Sequence, residues 1–288
     1  MAGPLLSVSF GARGLARVHR VRRCGVGLAV LAACMPGWAC GGSAAVTTDL
    51  SRVQPPVRAP ATLAGRMIAI DATLRAKLAA WRASDPGLLH PPPAQTLAVA
   101  AREREIVYRL AGHPSLGRRV LAKVPLRLRA VIRIDLAAAR DLRTLTGPAS
   151  THLQLVPAAP AGRLLADYRA AQRRFGVQWQ VLAAVNFVES AFGRVVNRSS
   201  AGAHGPMQFL PSTWRAYGLG GDISSPHDAI LGAANYLHQS GAPADDARAL
   251  YAYNPSDMYV AAVLDYARLM RRDPLGFLTY YTWEASLR

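Results

Sequence analysis

Glu189 is the side chain whose setting most clearly marks it for chemistry. It follows Phe187 and Val188, precedes Ser190 and Phe192, and is the only glutamate between Glu105 and Glu284. A carboxyl in so apolar a stretch resists ionising, because leaving water penalises the charged form. A carboxyl that stays protonated near neutral pH can act as a general acid. Downstream lies a polar, glycine-rich loop, Asn197 to Gly205, followed by Pro206-Met207-Gln208-Phe209-Leu210-Pro211. Glycines and prolines close to a glutamine let backbone and amide groups approach a bulky hydroxylated ligand, so this loop is a candidate groove floor. Tyr251-Ala252-Tyr253-Asn254 supplies a phenol and an amide that a fold can bring beside the acid.

Other chemistries find less support. Asp222 is the rival carboxylate, and a pair of acids across a glycosidic bond would favour hydrolysis by water. It sits among Gly218, Gly220 and Gly221, however, where an aspartate commonly shapes a turn. Asp245, Asp246 and Asp257 read as helix-start residues, and Asp265 as a surface residue. Ser190 has no histidine nearby to activate it. His204 and His227 lie in loops without metal-ligand company, so neither a metal nor a cofactor is expected.

The elements that must position these groups are helical. Val181, Leu182, Val185, Val188 and Phe192 recur roughly as on an amphipathic helix over Val177 to Phe192, which Gly193 breaks just after the acid. Arg163 to Arg174 delivers the chain into it, with Phe175-Gly176 as the break. Ser212 to Tyr217 predicts one or two turns with Trp214 buried, Pro226 to Gln239 a clear helix, and Asp257 to Arg271 another. Further upstream, helices are expected over Thr62 to Trp81, Ala94 to Ala111, and Ser115 to Leu145, the last kinked or divided at Pro125. No strand-period segment of useful length occurs, so the fold class is all-α.

Taken together, Glu189-Ser190, the segment Ala201-Gly202-Ala203-His204-Gly205-Pro206-Met207-Gln208, and Ala252-Tyr253-Asn254 strongly resemble the soluble-lytic-transglycosylase family of bacterial wall enzymes, over about Leu164 to Met270. The resemblance implies a lysozyme-like helical catalytic domain. It further implies cleavage of the bond between N-acetylmuramic acid and N-acetylglucosamine in peptidoglycan, without water. One glutamate protonates the leaving oxygen, then as a base helps the muramic 6-hydroxyl close a 1,6-anhydro ring. Glu189 matches that position. By the same carry-over Ser190 and Gln208 assist positioning, Met207 lines the sugar groove, and Tyr253 and Asn254 border the acid. Among aromatics able to stack on sugars, Tyr253 and Tyr259 are the ones expected to touch substrate. Two departures alter the groove edge: Pro206 stands where the family often has leucine, and Pro255-Ser256 where it often has Ala-Gly.

The formal charge of +17 calls for an acidic partner, and its distribution helps to choose one. Residues 1–159 hold 22 basic and 7 acidic side chains, against 12 and 10 in residues 160–288. The part around Glu189 is therefore nearly balanced, and no zinc-finger spacing, RNP-like motif or phosphate-cradling loop appears, which disfavours nucleic acid. Arg118, Arg119, Lys123, Arg127, Arg129 and Arg133 alternate with apolar residues in a basic amphipathic stretch. It faces anionic lipid or wall polymer, or else is the solvated side of an accessory bundle.

The first 23 residues carry five arginines and no acid, and a short apolar stretch, Cys24 to Ala39, follows. This reads as an export signal. Leu31-Ala32-Ala33-Cys34 resembles a lipobox, which makes Cys34 the expected lipidated residue, with Cys40 a weaker candidate and plain cleavage the alternative. The expected organisation is a signal over 1–40, a Pro- and Ala-rich linker over 41–61, a basic helical accessory region over 62–159 and the lysozyme-like domain over 160–288. The expected function is that of an exported, membrane-tethered peptidoglycan lytic transglycosylase acting on glycan strands. A water-using lysozyme-like hydrolase and a non-catalytic wall-binding module are the alternatives.

Overall fold

The structure, a computed structural model, describes residues 59–146 and 153–286. The export signal, the lipobox with Cys34 and nearly all of the linker lie outside the described residues. Among those described there are eleven helices and no sheet, with only the isolated bridges Leu155 to Val195 and His204 to Phe209.

Four helices precede the glutamate region. α1 (Pro60–Ser84) starts two residues earlier than the apolar pattern predicts, because Pro60 suits the first helical turn, where its missing N–H is no loss. It buries Leu63, Met67, Leu74, Leu78 and Trp81 along one stripe. α2 (Ala94–Ala111) follows Pro93. The long third segment is two helices, α3 (Pro114–Leu121) and α4 (Leu126–Thr146), divided at Pro125, which cannot donate to the preceding turn.

The remaining helices are α5 (Ala161–Phe175), α6 (Trp179–Ser190), α7 (Pro211–Tyr217), α8 (Pro226–Gln239), α9 (Asp246–Tyr253), α10 (Asp257–Arg272) and α11 (Gly276–Ala285). Side-chain caps open three of them: Ser225 accepts from Asp228 N, Asp245 from Arg248 N, and Ser256 from Tyr259 N. Thus Ser256, not Asp257, caps α10. Trp214 is half-buried rather than buried, its indole N–H donating to Gly221 O at 3.3 Å.

Two differences from the sequence pattern shape the core. The amphipathic helix expected around Glu189 has no solvent face: every residue of α6 from Val181 to Ser190 is buried. α11, which the periodicity does not announce, is apolar on most sides and buries Phe277, Leu278, Tyr280, Tyr281 and Trp283. α6 packs against α5, α8, α10 and α11, while α4 lies along α10 and α2 along α11. One apolar core consequently runs from Leu63 in α1 to Trp283 in α11.

Polar contacts stitch α11 and the end of α10 to the first helices. Arg104 and Glu284 form a buried ion pair at 3.2 Å, Trp283 Nε1 donates to Glu103 at 2.8 Å, and the Tyr280 hydroxyl donates to Asp135 at 2.7 Å. Arg75 pairs with Asp273. A backbone contact closes the seam, Gly162 N donating to Leu88 O at 3.0 Å. A Cβ at Gly162 would stand 1.8 Å from the carbonyl oxygen of Gly87, so only glycine permits this approach. Gly162→Ala is expected to cost about 2 kcal/mol or more, measured by denaturant unfolding, because two backbones must separate to admit one methyl group.

Candidate active site

Glu189 sits in the last turn of α6 and is 1% exposed. Its Oε1 accepts a hydrogen bond from the Tyr259 hydroxyl at 2.7 Å, and its Oε2 has no partner. Burial drives its pKa up to about 8, against the smaller opposing pull of the Tyr259 hydroxyl. Those are the two influences on its proton, and no second carboxylate among the described residues acts on it. At neutral pH the group is a protonated acid held in a dry, aromatic and aliphatic surrounding.

The helix ends immediately beyond the acid, and earlier than the glycine suggests. Ala191, Phe192 and Gly193 all have positive φ, so the chain leaves α6 through three successive left-handed residues. Ser190 Oγ accepts from Gly193 N at 2.8 Å and donates to the carbonyl of Pro206. Asn186, one turn back, donates to the same carbonyl at 2.7 Å and accepts from the Tyr168 hydroxyl at 2.5 Å. Both side chains are fully buried. Together they clamp the Met-Gln turn against the end of the glutamate helix.

That turn is a tight one. His204 and Phe209 exchange two backbone hydrogen bonds of 3.0 Å, with Gly205 to Gln208 between them. Gly205 has φ 79, and a Cβ there would fall 2.1 Å from Ile223 O. Gln208 has φ 48, a left-handed conformation that disfavours a side chain and is retained by the surrounding contacts. Its Nε2 donates to Gly205 O at 3.1 Å and, more weakly, to Asn197 O at 3.4 Å, whereas its buried Oε1 has no partner. Met207 is fully buried, so what it offers is its carbonyl, which accepts from the Tyr253 hydroxyl at 2.5 Å.

Tyr253 closes α9 and is held by edge contacts to Phe209 and Tyr236. It lies near enough to Glu189 for a carboxylate there to push its pKa up further, on top of burial. Asn254 follows at the helix end, 5% exposed, with an unpartnered Nδ2. Tyr259 enters from the first turn of α10 and is wholly enclosed.

All seven residues singled out by the sequence therefore gather around one helix end. The side chains of Ser190, Met207 and Tyr259 lie beneath the surface instead of on it, where they anchor the turn and the acid. Asn186 is the residue that sequence reasoning missed. Its signal was an amide inside the run Ala183-Ala184-Val185-Asn186-Phe187-Val188, where a polar group needs partners. Asp222 lies in an exposed turn, with Oδ1 accepting from Ser224 N at 2.9 Å. His227 pairs with Asp167 at 2.7 Å. Among the described residues no group of His, Cys, Asp and Glu is arranged to hold a metal ion.

Residues 168–268 match a family model described as the Transglycosylase SLT domain. No curated protein and no solved structure matches the chain.

The dry carboxyl makes a stability prediction. Glu189 is protonated in the folded protein up to about pH 8 but ionises near its ordinary value of 4.5 when unfolded. The folded state then binds the extra proton between these values, so stability from this group is full below about pH 4.5 and is lost as pH rises toward 8. Glu189→Gln is expected to flatten this part of the pH dependence and to be more stable than the parent at pH 8, by a few kcal/mol in denaturant unfolding.

Proposed function

Because residues 168–268 form a transglycosylase SLT domain, a lysozyme-like helical unit of the kind that acts on peptidoglycan, we propose that this protein is a lytic transglycosylase with Glu189 as its sole acid and base. The observation that carries the proposal is the isolation of that carboxyl: it is buried and raised to about 8, and no other carboxylate acts on it. A hydrolase with two carboxylates needs a second acid across the scissile bond to activate water or to attack the sugar. A single protonated acid suits a reaction in which the substrate supplies its own nucleophile.

In this mechanism the Glu189 proton passes to the glycosidic oxygen as its bond to C1 of the muramic sugar breaks. The resulting carboxylate lies next to the developing positive charge at C1. It then takes the proton of the 6-hydroxyl, whose oxygen bonds to C1 to close the 1,6-anhydro ring. Protons balance, Glu189 returns to its acid form, and no water is consumed. Tyr259 holds Oε1, leaving the unpartnered Oε2 to exchange the proton. Gln208 Oε1 and Asn254 Nδ2, also unpartnered, are the acceptor and donor offered to sugar hydroxyl and N-acetyl groups. Asn186 and Ser190 hold the turn that carries Gln208.

Residues 160–288 are the catalytic part on this reading, and 62–159 an accessory one. The signal over 1–40 and acylation of Cys34 place the enzyme on the membrane facing the wall. These last assignments rest on the sequence alone, and palmitate label is expected in the protein and absent from Cys34→Ser.

Glu189→Gln is expected to fold and to release essentially no fragments from purified peptidoglycan, a loss of about three orders of magnitude or more for a missing essential acid. Mass spectrometry of the parent's products should show ends lighter by one water than hydrolysis gives. Full-weight reducing ends would identify a hydrolase, and bound wall with no product a binding module. Activity is expected to fall as pH rises through about 8, as Glu189 loses its proton. Tyr259→Phe removes a contact that lowers the Glu189 pKa, so this alkaline limb should move to higher pH while the rate drops.

A further inference from the structure

A concave site lies at the end of α10 remote from Tyr259. It is a cavity of about 630 Å³ between α1, α2, α4, the end of α10 and the start of α11, within the size range of roughly 300–1,000 Å³ typical of small-molecule sites. Tyr259, which holds Glu189, and Leu269, which lines this cavity, are ten residues apart on one helix, a rise of about 15 Å. None of the residues proposed for catalysis lines it.

Its wall is unusual in chemistry. Asp71, Glu103 and Asp135 reach it from three different helices. Asp135 lines the cavity and is 6% exposed; its Oδ1 accepts from the Tyr280 hydroxyl, and its other oxygen makes no hydrogen bond. Glu103 has one oxygen on the Trp283 indole, and Asp71 makes no hydrogen bond. Burial first, and neighbouring acids second, push Glu103 up to about 7 and Asp135 to about 8, so a cation entering the cavity would favour their ionised forms. Arg75 also lines the cavity, where it pairs with Asp273 and draws the Asp71 and Glu103 pKa values down against burial. These carboxylates are not gathered as a metal ion requires.

The lining also includes the aliphatic side chains of Met67, Leu128, Ile132 and Leu269. At the mouth stand the exposed guanidinium groups of Arg127 and Arg272. A ligand that matches carries a positive head, an aliphatic stem and a negative end. A primary ammonium supplies three donors for carboxylate oxygens that have none, and a carboxylate suits an arginine fork.

We propose that this cavity binds an aliphatic ammonium carboxylate of the lysine type, with the ammonium against Asp135 and Glu103 and the carboxylate against Arg127 and Arg272. The site stands independently of the role of Glu189. Calorimetric titration of the full chain tests it with three probes: Nα-acetyl-L-lysine, Nα-acetyl-L-norleucine, which keeps stem and carboxylate but lacks the ammonium, and Nα-acetyl-L-lysine amide, which lacks the carboxylate.

Nα-acetyl-L-lysine is expected to bind at one saturable site, and each of the other two about tenfold more weakly or worse. Asp135→Asn should weaken binding by a similar factor. Val131→Trp, at an exposed mouth position where a large side chain leaves the core untouched, should block it. Glu189→Gln should leave it unchanged. The proposal is overturned by absence of saturable binding, by equal affinity for the norleucine or the amide probe, or by binding that survives both Asp135→Asn and Val131→Trp.

Discussion

Keeping one carboxyl out of water is the constraint on which the rest of this structure depends. A lone acid in a dry site is costly, and it persists only where the surroundings are assembled for other reasons and leave water no way in. Here that enclosure is α6, buried on every side by α5, α8, α10 and α11. Apolar packing of Phe187 against Phe192, Tyr266 and Tyr280 provides the stabilisation. Glu189 rides on the same helix, two residues beyond Phe187. Its single hydrogen bond, from Tyr259, sets its direction without compelling it to ionise.

The polar groups around the acid divide into those with partners and those without, and the division follows their tasks. Asn186, Ser190 and Tyr168 use their hydrogen-bonding capacity on one another and on the carbonyl of Pro206, so the turn carrying Gln208 is fixed to the helix carrying Glu189. Glu189 Oε2, Gln208 Oε1 and Asn254 Nδ2 are buried without a protein partner.

α10 ties this region to the first four helices. Its opening turn presents Tyr259 to Glu189, its length lies along α4, and its end borders the acid-lined cavity beside Asp273. α11 reinforces the connection through Tyr280 to Asp135, Trp283 to Glu103 and the buried pair of Glu284 with Arg104. The arginine-rich surface of α3 and α4 therefore belongs to helices that share a core with the glutamate region, and Arg127 stands at the mouth of that cavity.

Much of this was written locally. Proline at 93, 125 and 226, with apolar spacing after each, marked the starts of α2, α4 and α8, because a missing N–H and a 3.6-residue repeat act within one turn, whereas α1 began two residues before its expected start. The acid, the Met-Gln turn and the Tyr-Asn pair were likewise legible, since their residue types and order mark them without reference to distance. α11 was not, because a helix apolar on most sides has no periodicity to read, and the same reason hid the complete burial of α6. Nor did the chain announce that Tyr259, seventy residues from Glu189, would be its hydrogen-bond donor. Asp71, Glu103 and Asp135 as neighbours were equally silent, and Asn186 gave only the sign of an amide within an apolar run. By itself the sequence determined the all-α class and the order in which the acid, the Met-Gln turn and the Tyr-Asn pair follow one another. Only the tertiary structure decided which of them were deprived of water and which were left without a partner, because desolvation and hydrogen-bond satisfaction depend on what packs from remote parts of the chain.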